Sequence, residues 1–169
     1  MDRTEYREYI PSPALRKHVA CFWSRRSQSG PRTSTHRVLP DGCIDILFVA
    51  GAEPALEVVG TMRTAVEVRL EGPGRIAAVR FRPGGALPLL GVPASELTGR
   101  TIALEEFWGR DAARLAERVA EAREVRAQVG TLEREIASRT RAARAVDPYV
   151  SAAVELIVSS HGRASSDAW

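Results

Sequence analysis

Asp45 is a carboxylate in the middle of an apolar run, Cys43-Ile-Asp-Ile-Leu-Phe-Val49. In an extended segment it shares a face with Cys43 and Leu47, while Ile44, Ile46 and Phe48 share the other. Burying a carboxylate requires an arginine or several donors; Arg37, Arg80 and Arg82 are the cations able to supply it. Two readings stand side by side. Asp45 is a structural salt bridge or a solvent-facing residue, or it is a polar group in a ligand cavity with Trp23 and Arg80. A small cavity lined by aromatics with a few polar groups suits a small-molecule effector. Trp23, Arg37, Asp45, Phe48 and Arg80 are the candidate ligand-binding residues on that second reading.

Other chemistry is poorly supplied. A zinc site from His18, Cys21, His36 and Cys43 would collect the soft ligands of the first half of the chain, but their spacing matches no recognised pattern. Two buried reduced thiols and two ordinary histidines account for them better. Gly84-Gly85 lacks the further glycine, lysine or hydroxyl of a phosphate loop, and no serine sits in a nucleophile elbow. No catalytic residue, metal or cofactor is expected.

The elements that position these residues divide at an elbow, Arg80-Phe-Arg-Pro-Gly-Gly85. Pro83 removes a backbone donor and ends a strand, and the glycines turn the chain. Upstream the sequence reads as strands: a lead-in at Tyr6–Ile10, a long strand at His18–Ser27 that is apolar on both faces, and extended segments at His36–Leu39, Cys43–Val49, Leu56–Thr61, Arg63–Leu70 and Ile76–Phe81. Arg63–Leu70 alternates cleanly and predicts a half-buried strand near an edge. Turns are expected at Ser27–Pro31, Pro40-Asp41-Gly42, Gly51–Pro54 and Gly72–Gly74. Short strands with frequent turns predict an antiparallel barrel or sandwich.

Downstream the chain reads mostly as helices. Ala86–Leu90 is a short apolar turn stopped at Gly91, Thr101–Leu104 is extended, and Glu105–Trp108 is a helical turn. Asp111–Ala122 carries Leu115, Val119 and Ala122 on one face; Val125–Thr140 carries Val129, Leu132 and Ile136 on one. Those last three could bury against a second helix of the same subunit or of a partner, and a homodimer through residues 110–140 is expected. Asp147-Pro148 is a specific helix start, followed by the stripe Val150, Ala153, Val154, Ile157 and Val158. Ser165, Ser166 and Asp167 are competent caps for another helix shortly before Trp169.

The 169 residues carry a formal charge of +3, with an apolar fraction of 44%. The balance is +4 over residues 1–100, +1 over 101–146 and −2 over 147–169, so the last segment is no basic arm. The N-terminus is charged, and no apolar run approaches the ~20 residues that span a bilayer. A soluble, cytoplasmic protein is expected.

Taken together, Tyr9-x-Pro11, Val19-Ala-Cys-Phe-Trp23, Leu39-Pro-Asp-Gly-Cys-Ile-Asp45, Phe81-x-Pro-Gly-Gly85 and Leu90-Gly-Val-Pro-Ala-Ser-Glu-Leu97 resemble the N-terminal sensor domain of AraC/XylS-type bacterial transcription regulators. The resemblance covers about residues 6–108. It implies an α+β chain: a cupin-like antiparallel β-barrel or sandwich at 1–108, a helical linker and dimerisation segment at 109–146, and at 147–169 the first helix of a DNA-binding domain cut short. The family's helix-turn-helix units, and with them contact to DNA, would lie in the missing C-terminal part. The function implied is effector sensing and dimerisation within a transcription regulator; a stand-alone cupin-like enzyme or small-molecule carrier is the alternative. Metal-dependent cupins hold their ion with a His-x-His pair, which this chain lacks.

Overall fold

The computed structural model describes residues 4–27, 34–50, 53–70, 74–143 and 146–164. β1 (Thr4–Tyr9) passes through a single 3-10 turn at Pro13–Leu15 into β2 (Val19–Ser27). β3 (Ser34–Val38), β4 (Ile44–Val49), β5 (Ala55–Val59), β6 (Val66–Leu70) and β7 (Gly74–Phe81) follow. After the elbow come α1 (Leu87–Leu90), α2 (Ala94–Leu97), β8 (Thr101–Ala103), α3 (Glu105–Trp108), α4 (Arg110–Glu121), α5 (Val125–Ala142) and α6 (Pro148–Ser159). The turns expected at Ser27–Pro31, Gly51–Pro54 and Gly72–Gly74 and the capping run Ser165–Asp167 lie largely or wholly outside the described residues.

The strands form a mixed α+β architecture. Six join antiparallel in the order β1-β2-β7-β4-β5-β8, and β3 pairs with β6 as a separate ribbon. β1 and β8 are free edges, so the sheet is not closed, and the expected barrel is corrected to an open sheet. The physical reason lies on the apolar face. Phe22, Ile46, Phe48, Val58, Val79 and Phe81 bury there against Leu115 and Val119 of α4 and Val129, Leu132 and Ile136 of α5 in a single core. A helical hairpin thus occupies the place a second sheet would take.

Two expectations fail because only that face is covered. β2 was expected to be apolar-buried on both sides; Val19 and Phe22 are buried, but Cys21 and Trp23 face the other way and are only partly buried. The ribbon was expected to be half-buried, yet Val66 and Val68 are 41% and 36% exposed. Alternation sets which side chains share a face, and cannot say whether anything will cover it.

Polar contacts also brace the hairpin, within itself and against the Ser12 loop and α3. The Ser12 amide donates to Glu133 Oε1 at 2.8 Å, and Arg118 Nη2 reaches Glu135 Oε2 at 2.7 Å. Arg139 donates to Glu135 at 2.8 Å and lies 3.9 Å from the Trp108 ring centre. Val129, Leu132 and Ile136 are therefore core residues within one subunit.

At the elbow, the Arg82 amide donates to the His18 carbonyl at 2.9 Å, and a Cβ on Gly85 would collide with that same carbonyl. Gly91 stops α1 in the left-handed region at φ 74°. α6 starts where the sequence places it, with Asp147 Oδ1 accepting from the Tyr149 amide at 2.8 Å, but none of its residues is buried. Among the described residues no helix is long and apolar enough to cross a membrane.

Candidate functional site

The uncovered face of the sheet holds the polar cluster. β4 and β2 flank β7, so Arg80 stands directly across from Asp45 on one side and Cys21 on the other. The parity that puts Ile46 and Phe48 in the core turns Asp45 and Cys43 outward onto this face. Trp23 lies one step along, opposite Ala78.

Here the side chains converge. Arg80 Nε donates to Asp45 Oδ1 at 3.1 Å and its Nη2 to Oδ2 at 3.1 Å; Trp23 Nε1 donates to Oδ1 at 3.0 Å. The Pro40-Asp41-Gly42 turn, with Gly42 at φ 69°, adds a second carboxylate: Asp41 Oδ2 lies 3.5 Å from Arg80 Nη1. Asp41 Oδ1 meanwhile accepts from the Cys43 amide at 2.9 Å, which fixes the turn. From β1, the Tyr6 ring packs 5.8 Å from Trp23 at a 36° tilt, and the Tyr6 hydroxyl donates to Glu8 at 2.7 Å.

Electrostatics follow from partial burial. Desolvation raises Asp45 above the usual carboxylate range, held back by the bonds from Arg80 and Trp23. Burial opposes the Arg80 charge, but the bond and field of Asp45 outweigh it and keep the guanidinium charged. Burial pushes the Cys21 thiol up to about 11, assisted by Glu8, and the Cys43 thiol up to about 11, assisted by Asp41. Both thiols are therefore protonated near neutral pH, which makes them poor nucleophiles. Cys21 lies on β2 and Cys43 just before β4, with β7 between those strands, so two strand spacings of ~9.5 Å separate them, beyond disulfide reach.

Trp23, Asp45 and Arg80 are thus brought together as the sequence suggests. Phe48 is not: it is 1% exposed on the opposite face, in the core. Arg37 is not either; it lies on the exposed ribbon, opposite Glu67. Asp41 and Tyr6 belong to the cluster and were missed. Asp41 was visible only as a turn residue, and Tyr6 sits in a lead-in whose pairing partner the sequence does not name. Among the described residues no three potential ligand side chains gather around a metal-sized space; His18 is at the elbow and His36 on the ribbon.

A tilted aromatic pair offers a flat surface, and the adjoining carboxylates offer acceptors fixed by Arg80. No curated protein and no solved structure matches the chain. Residues 7–103 match a protein family described as a domain of unknown function, DUF6597. That span is more than half of the chain and contains β2, β4 and β7, with Tyr6 just before it, so the chain belongs to the DUF6597 family.

Proposed function

We propose that this chain is the effector-sensing and dimerisation part of an AraC-like transcription regulator. The observation that carries the reading is the convergence of Trp23, Asp45 and Arg80 on one uncovered sheet face, with Tyr6 beside them. A flat molecule bearing hydrogen-bond donors would lie against Trp23 and Tyr6 and donate to Asp45 and Asp41. The β3–β6 ribbon, exposed on both faces, is the element able to fold across such a ligand. It would complete the cupin-like sandwich and carry Arg37 over the site. A lone two-stranded ribbon is marginal in water, which favours such cover. DNA contact is assigned to parts of the regulator outside this chain, because residues 147–169 carry a charge of −2.

The test is a thermal-shift screen of flat, donor-bearing small molecules, followed by titration calorimetry of the hits. A hit whose binding is lost in Trp23→Ala and Asp45→Asn supports the reading. Binding that neither substitution changes overturns it. Sedimentation would show a dimer on the same reading, and a promoter fragment would not be retained sequence-selectively at physiological salt.

A further inference from the structure

β1 is a free edge of the main sheet, and its residues, Thr-Glu-Tyr-Arg-Glu-Tyr, carry neither a proline nor a bulge that would blunt it. The hydrogen-bond parity of the sheet fixes which of its backbone groups are spare. The Ala50 amide donates to the Arg75 carbonyl, so odd-numbered residues of β7 turn toward β4 and even-numbered ones toward β2. Ile76 and Ala78 then bond Arg25 and Trp23, which leaves Arg26 and Ser24 of β2 to bond Glu5 and Arg7. Thr4, Tyr6 and Glu8 accordingly turn their amides and carbonyls away from the sheet. Among the described residues no other backbone group takes these up.

Such an edge accepts a further strand, and β1 matches a second copy of itself. Across a two-fold axis, antiparallel pairing must set outward residues against outward residues. Two registers then keep five of the six residues of β1 paired. One sets Arg7 against the partner's Arg7, and like charges directly opposite are destabilising. The other sets Tyr6 against the partner's Tyr6 and Glu5 against the partner's Arg7, twice by symmetry. Glu5 and Arg7 already lie 3.1 Å apart within one copy, with side chains 59% and 62% exposed, so pairing would close a ring of four alternating charges.

We propose that this chain dimerises edge to edge through β1, in the register that places Tyr6 on the two-fold axis. The inference rests on the dimerisation half of the function proposed above and gives it a surface, since Val129, Leu132 and Ile136 are buried inside one subunit. The two six-stranded sheets become one continuous sheet. On its uncovered face Tyr6, 51% exposed and beside Trp23, meets the partner's Tyr6, so the two candidate ligand faces adjoin. A single strand pair buries little area, which puts the dimer in the weak, reversible class.

Sedimentation velocity over a range of concentrations tests it, with charge reversals at these two exposed positions. The parent should dimerise. Glu5→Arg and Arg7→Glu each set like charges opposite in this register, and each alone should weaken the dimer about tenfold or more. An equimolar mixture of the two variants should regain it, because every cross-strand charge pair is then of opposite sign. The double variant Glu5→Arg, Arg7→Glu, which keeps the pairs with signs exchanged, should dimerise like the parent. A mixture no more dimeric than its components, or a dimer of parent strength in either single variant, would overturn the β1 interface and leave dimerisation to another surface. A parent that stays monomeric at high concentration would overturn the interface and the dimerisation half of the proposed function together, leaving the ligand face untouched.

Discussion

Arg80 on β7 and Asp45 on β4 are direct cross-strand partners that form a two-pronged ion pair, with both bonds at 3.1 Å. The side chains are 28% and 14% exposed, so the pair is largely but not fully withdrawn from water. Removing one partner strands the other. Arg80→Met should cost about 2–4 kcal/mol, below the deeply buried limit because solvent still reaches the guanidinium. Asp45→Asn should cost less, about 1–2 kcal/mol, since the amide oxygen still accepts from Trp23 and the guanidinium it leaves is the more exposed partner, with Asp41 still 3.5 Å away. Urea denaturation of both variants checks the order; a milder Arg80→Met would contradict it.

The same carboxylate sets a pH dependence. Its folded-state pKa lies above the ordinary value of 3.8, so the folded chain binds that proton more tightly than the unfolded one. Stability then falls as pH rises through the window that opens near 3.8 and extends above it. Relative to Asp45→Asn, the parent protein should gain stability as the pH is lowered toward that window. A difference in midpoint that stays flat from neutral pH to the carboxylate range would refute the assignment.

Trp23 and Phe81 are separated by the plane of the sheet, and their truncations should differ accordingly. Phe81 is 0% exposed in the core, so Phe81→Ala should cost about 3–5 kcal/mol. Trp23 is only partly buried, and Trp23→Ala should cost about 2 kcal/mol. Equal losses in chemical denaturation would place both in one core.

Gly85 has no room for a side chain because the His18 carbonyl lies where its Cβ would go. Gly85→Ala should therefore shift the backbone and cost about 1–3 kcal/mol or more. Gly74→Ala, with nothing within 4 Å of the added carbon, is the matched control and should be near neutral. Comparable melting temperatures for the two variants would remove the elbow's close approach from the account.

Asp45 shows what was legible in the sequence: a carboxylate in an apolar strand demands a cation, and Arg80 on β7, its neighbour in the sheet, meets it. Period-two parity also placed Phe48 with Ile44 and Ile46, the group that proves to be core. Its inclusion among the ligand residues ignored that parity. Arg37 failed for another reason. Nothing local in Ser34–Val38 says whether a strand joins the main sheet or pairs off in a ribbon, because that depends on which long-range partner wins. The helix starts at Asp147 and the stop at Gly91 were readable because caps are local chemistry. The open edge of β1 was not, since it exists only once pairing with β2 fixes which of its amides turn outward.

The bond from the Ser12 amide to Glu133 spans 121 positions of chain. During synthesis, the strands of residues 7–103 leave the ribosome well before α4 and α5, whose Leu115, Val119, Leu132 and Ile136 complete the core. Until then Phe22, Phe48 and Phe81 lack the cover of α4 and α5. A nascent chain halted at residue 103 should accordingly be a chaperone client and protease-sensitive, and should become resistant only when α5 has emerged.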